Sequence, residues 1–239
     1  ANTGNIVDSG VLTITGTSSF TTSQNNADIT LDLANVLTGT VALNTSGSTG
    51  NATVDNGITA LNMAASSIGG NLTLTSGHAS GIIDSGTVTV GGNLAATTDA
   101  NSGLINMGTL AVDGTVQLTT NGSGNATVVN DAGLNFAAST VGGNLTLTSG
   151  NASGITDSGL VTVGGNLAAT TDAANGLINL GTLAVDGTVA LTTNGSGNAT
   201  VVNDAGLNFA ASTVGGNFAA TATTGNMTDS GALTVAGTT

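Results

Sequence analysis

Apolar and polar residues alternate along this chain in short phrases, and each phrase turns at a glycine. Two residues before that glycine stand Ile14, Leu37, Ile68, Val90, Val112, Val141, Val163, Val185, Val214 and Val235, apolar without exception. Two residues after it come Val41, Leu72, Leu94, Val116, Leu145, Leu167, Val189 and Phe218, with Ser18 as the polar member. The positions between are small or polar. A period of two is the signature of a strand with one face buried. Five residues after the glycine an outward column reads Thr21, Asn44, Thr75, Thr97, Thr119, Thr148, Thr170, Thr192 and Thr221.

The phrases belong to a longer repeat. Asn121 through Gly143 returns word for word at Asn194 through Gly216, an offset of 73 in the numbering. From Gly70 onward the corner glycines (Gly92, Gly114, Gly143, Gly165, Gly187, Gly216) follow a 22-22-29 rhythm. This spacing predicts three rungs per repeat, one of them carrying an insert of about seven. Columns that stay apolar or stay threonine once per rung predict stacking at the strand spacing of about 4.8 Å. The expected fold is therefore all-β, a parallel β-helix (β-solenoid) with about 22 residues and three faces per rung, in about nine rungs. One continuous solenoid over 1–239 accounts for the chain, with repeats at 48–120 and 121–193 and partial ones at 1–47 and 194–239.

Composition narrows the function. The chain has 13 acidic residues, no lysine or arginine and one histidine, for a formal charge of -13, and aromatics make up 2%. Nucleic-acid binding depends on cations that displace phosphate counterions, so that class is excluded. No run of about 18 apolar residues exists to span a bilayer, and a basic patch for anionic lipid is missing. Membrane insertion is not expected. Cysteine is absent, which removes disulfides, thiolate nucleophiles and zinc-thiolate sites. With no proline, every strand residue can donate to a ladder.

The phrases VTVGGNLAATT at Val161 to Thr171 and LTVAGTT at Leu233 to Thr239 resemble the repeat regions of filamentous-haemagglutinin-like exoproteins. These are large bacterial surface adhesins secreted by a two-partner route. The resemblance implies a right-handed β-helix, a secreted or cell-surface location, and a role as stalk or adhesive fibre. The Asn-Pro motifs of that family's amino-terminal secretion domain have no counterpart here, because the chain has no proline.

Candidate chemistry is sparse. Asp8, Asp84, Asp157 and Asp229 share an Asp-Ser-Gly turn, and the 73-residue spacing of Asp84 and Asp157 puts them three rungs, about 15 Å, apart. Paired glycosidase carboxylates need about 5 to 9.5 Å. No catalytic residue is assigned and an enzyme is not expected. Asp55 beside Asn56, Asp131 beside Asn130, and Asp204 beside Asn203 each offer two oxygens to weak calcium, with turn hydrogen bonding as the competing use. No other cofactor is expected. Asn51, Asn125 and Asn198 stand in Asn-X-Ser/Thr frames and are the candidate glycan acceptors. His78 has no repeating partner, since Asn151 takes its place in the next repeat, and reads as a turn or surface residue. Thr73 with Thr75, and Thr146 with Thr148, form the Thr-X-Thr pairs of an ice-binding face, but Ala95, Gln117, Ala168, Ala190 and Ala219 interrupt the partner column.

Two function classes follow. The first is a structural extracellular protein, a rigid stalk, filament or matrix fibre that associates head to tail or continues in a longer chain. The alternative is a surface module that binds carbohydrate, calcium or ice.

Overall fold

The computed structural model describes residues 4–239; residues 1–3, at the head of the expected solenoid, lie outside the described residues. Alternation becomes parallel stacking throughout. The strands fall into a 13-stranded sheet and a 15-stranded sheet, with a separate pair formed by Thr13–Ile14 and Val36–Leu37. Every strand pairing among the described residues is parallel. Moving along the chain, segments alternate between the two large sheets: Leu72–Ser76 lies in the first, Ile82–Asp84 and Val88–Val90 in the second, Leu94–Asn101 in the first, Ile105–Val112 in the second. One segment on each sheet therefore makes a turn. The turns differ in length: the path from Ala199 to its partner Phe218 is shorter than the path from Ile6 to its partner Ile29. About ten turns result.

The fold is the solenoid that the periodicity predicts, with two corrections. Each turn carries two main faces instead of three, because the stretch at Leu177 to Leu180 and the corner strand after it are one strand, Ile178–Val185. The long repeat also spans three and a half turns, not three with an insert. Leu72–Ser76 lies in the first sheet between Ala52–Asp55 and Leu94–Asn101. Its copy in the next repeat, Leu145–Ser149, lies in the second sheet between Ala126–Asn130 and Leu167–Thr171. Seven half-turns separate them, so successive repeats face opposite ways.

The interior is a stack of aliphatic columns. On the first sheet Ala52, Leu72, Leu94, Val116 and Phe136 follow one another in register. On the second, Leu61, Ile82, Ile105, Ala126, Leu145, Leu167, Val189 and Phe209 do the same. All are buried. At about 25 cal/mol per Å² of apolar surface, each Leu or Val contributes roughly 1.5 to 3 kcal/mol. So narrow an interior has little room for aromatic rings, and Phe209 and Phe218 meet edge to face with centroids 5.3 Å apart. Among the described residues no helix is long and apolar enough to cross a membrane.

Glycine marks the corners because there the backbones of successive turns touch. The N–H of Gly92 donates to the carbonyl of Gly70, and that of Gly114 to Gly92, at 2.9 and 3.0 Å. At the opposite corner Gly165 donates to Gly143 and Gly187 to Gly165. A Cβ on Gly142 would overlap the carbonyl oxygen of Gly122. Gly154 combines such a contact, with Leu177, and a φ of +73°, a region that L side chains rarely enter.

Candidate functional site

The corners carry a second ladder, made of side chains. Each corner asparagine accepts, through Oδ1, the backbone N–H of its counterpart one turn further on. Asn71 donates to Asn51, Asn93 to Asn71 and Thr115 to Asn93, each at 2.8 Å. Across the solenoid Asn144 donates to Asn125 at 2.7 Å, Asn166 to Asn144 and Thr188 to Asn166. The repeat places a third run at Asn198, Asn217 and Thr238. The glycan-acceptor candidates Asn51, Asn125 and Asn198 are thus members of these ladders, exposed but with their oxygens engaged. Asn51 also uses its Nδ2, which donates to Asp28 at 3.2 Å.

The Asp-Asn pairs considered for calcium are split by the chain. Asn56, Asn130 and Asn203 are fully buried, while Asp131 and Asp204 are exposed and Asp55 is half-buried. Each buried asparagine spans two turns: Asn56 accepts the N–H of Leu37 at 2.8 Å and donates to the carbonyls of Leu37 and Ala60. Asn130 treats Val112 and Gly133 in the same way, and Asn203 does so with Val185 and Gly206. Their oxygens face inward and are taken. Asp55 accepts the N–H of Gly57 at 2.8 Å, a turn bond. Among the described residues no three His, Cys, Asp or Glu side chains come together as a metal-holding group.

The Asp-Ser-Gly carboxylates are brought nowhere near each other. Asp84 belongs to the second sheet and Asp157 to the first, a correction to the expectation of one side and three rungs. Each clamps the next turn where the strand bulges: Asp157 accepts from the N–H of Gly181 at 2.8 Å and from the N–H and hydroxyl of Thr182, both at 2.6 Å. Asp84 holds Gly108 and Thr109 identically. The bulges follow from the register shifts at Met107/Leu110 and Leu180/Leu183. His78 is exposed and its Nδ1 accepts the Ser80 N–H at 3.0 Å, the bond that Asn151 makes to Ser153 in the next repeat.

One surface feature escapes a reading by sequence columns, and the outward threonine column is divided by the fold between the two sheets. The feature is a shallow groove lined by Asp113, Asn135, Asn151, Ser153 and Thr156, with its copy lined by Asp186, Asn208, Asn226 and Thr228. In both, and at Asn62 one repeat earlier, the asparagine Oδ1 is buried without a hydrogen-bond partner. The divided column enters a pair of threonine ladders. Thr75, Thr97, Thr119, Thr140 and Thr162 stack in register on the first sheet. Thr148, Thr170, Thr192, Thr213 and Thr234 stack on the second. All ten are exposed or half-exposed.

The model of a family described as repeats of unknown function, DUF5649, matches residues 1–44, 123–180 and 196–239, together more than half of the chain. No curated protein and no solved structure matches it.

Proposed function

Because this chain belongs to the DUF5649 family of repeats and folds as a two-sheet parallel solenoid, we propose that it is a structural protein of the cell exterior, a rigid stalk or filament segment. One observation carries the proposal. Backbone ladders, glycine corners and asparagine ladders all run along a single axis, so the polar groups of one turn are used chiefly to hold the next. Such a molecule is stiff along its length, and among the described residues it offers no metal-holding cluster of acidic or imidazole groups. The resemblance of its phrases to filamentous-haemagglutinin-like repeat regions supports an adhesin-like stalk, secreted and displayed on a bacterial surface. The lack of lysine and arginine suits that setting, since trypsin-type proteases find no bond to cut. Its partners in this reading are further solenoid turns, contributed by a second copy head to tail or by the same chain.

Electron microscopy of the purified chain, paired with antibody labelling of intact source cells, tests the reading. At about 10 mM salt, where the charge of -13 is unscreened, we expect straight rods of uniform width with a unit length of about 50 Å, eleven strand levels at about 4.8 Å, and label on the cell surface. Label confined to the cell interior overturns the stalk.

A second reading rests on the repeated groove. Its lining gathers groups that want donors, a carboxylate (Asp113 or Asp186) beside asparagine amides that include Asn135 or Asn208. A hydroxyl-rich ligand such as a polysaccharide offers donors of that kind. Glycan-array binding that is lost in Asn135→Leu/Asn208→Leu supports it; an array with no signal removes it.

A further inference from the structure

The two threonine ladders are one surface presented twice. Each is five residues long, each is flanked inward along its strands by small or uncharged residues (Thr73, Ala95 and Gln117 on one side, Thr146, Ala168 and Ala190 on the other), and none of these positions carries charge. Three and a half turns separate a threonine such as Thr97 from its copy Thr170, so the two surfaces are related by a half rotation about the axis and a rise of about 17 Å. In a chain of net charge -13 the ladders themselves carry no charge, but carboxylates border them: Asp55 is in register with Thr75, and exposed Asp99 and Asp172 lie two residues beyond Thr97 and Thr170, so two such faces meet only where salt screens these edges.

We propose that these strips are lateral docking faces, and that the occupant of each is the threonine face of a second copy of this chain. Chemistry and period select that partner. A threonine hydroxyl donates and accepts, and burying it without a partner is costly. Five hydroxyls about 4.8 Å apart can all be matched only by a surface with the same rise and the same dual donor-acceptor character. Another rod of this protein supplies both. β-Branched side chains with restricted χ1 hold the hydroxyls in place beforehand, which limits the entropy lost on docking. Because the faces lie on opposite sides, a rod docked through one still presents the other, and association continues sideways into ribbons or bundles without closing. This inference rests on the filament reading and adds a direction of assembly to it.

The test measures particle width, since head-to-tail growth alters length alone. Purified wild-type chain is imaged by electron microscopy in about 0.5 M NaCl, where the Debye length is only a few Å, beside three variants. Thr97→Glu/Thr119→Glu charges the first face, Thr170→Glu/Thr192→Glu charges the second, and Ala152→Glu/Ala174→Glu adds the same charge at exposed turn positions off both faces. Circular dichroism confirms that each keeps its β-structure. We expect wild type and the off-face control to form particles many rods wide, each single-face variant to stop at a width of two rods, and a four-residue variant of both faces to remain one rod wide. Wild-type particles one rod wide at every concentration overturn the proposal, as do single-face variants that bundle like the control. Either of those results, obtained with intact single rods, leaves the stalk reading standing.

Discussion

Asn130 closes on Val112 of the preceding turn from both sides: its Oδ1 accepts the Val112 N–H at 2.8 Å, and its Nδ2 donates to the Val112 carbonyl at 3.1 Å. The strand cannot pair there in the ordinary way, because the bulge in Ile105–Val112 shifts the register between Met107 and Leu110. A side chain stands in for the missing backbone partner. Replacing it with leucine keeps the volume but leaves two buried peptide groups unpaired, each costing about 1 to 3 kcal/mol. Urea or thermal unfolding of Asn130→Leu should show a loss in that range or above it. Asn203→Leu should match it, since Asn203 makes the same bonds to Val185.

The corner glycines should divide sharply by position. Gly142→Ala and Gly215→Ala force a methyl into the carbonyl oxygens of Gly122 and Gly195, whereas Gly16 has open space around it. Overpacking of a rigid backbone contact costs about 1 to 3 kcal/mol or more. A clear drop in melting temperature is expected for the first two, and almost none for Gly16→Ala.

Asp157 fixes the bulge of the following turn with three hydrogen bonds to Gly181 and Thr182. In Asp157→Ala the amides of Gly181 and Thr182 should exchange with deuterium faster than in the wild type, while those of Leu167–Thr171 on the opposite sheet stay protected. A loss of about 1 to 3 kcal/mol is expected for bonds to a charged acceptor. Uniform acceleration along the whole rod would instead mean that the clamp holds global stability.

Thirteen carboxylates without a single lysine or arginine repel one another in the folded rod. Raising NaCl from about 10 mM to about 0.5 M shortens the screening length from roughly 30 Å to a few Å, so the melting temperature should rise. Calcium chloride at matched ionic strength should do no more than this, because the asparagine partners of Asp131 and Asp204 are turned into the core. A rise specific to calcium would mean that the carboxylates find other oxygens.

The sequence by itself determined the fold class, the rise and the interior. An unbroken column such as Val90, Val112, Val141, Val163, Val185 can exist only if those residues are buried in equivalent places, and period-two alternation allows only strands. Corner glycines and the polar character of the corner asparagines were legible for the same reason, since each repeats with its phrase. What sequence columns could not reveal is which face a repeat occupies. That depends on how much chain each turn consumes, and a short turn such as Ala199 to Phe218 differs from a long one such as Ile6 to Ile29 only in loops and bulges that tertiary pairing sets. Counted along the chain, Val90 and Val141 belong to one column; in the molecule Val90 pairs with Val112 on the second sheet and Val141 with Val163 on the first. The threonine ladders have the same origin. Thr119 lies beyond its corner glycine, Gly114, while Thr140 lies ahead of its own, Gly143, so no linear alignment joins them. The short turn between them brings Thr119 and Thr140 into register, and only that packing decides that five threonines share one face.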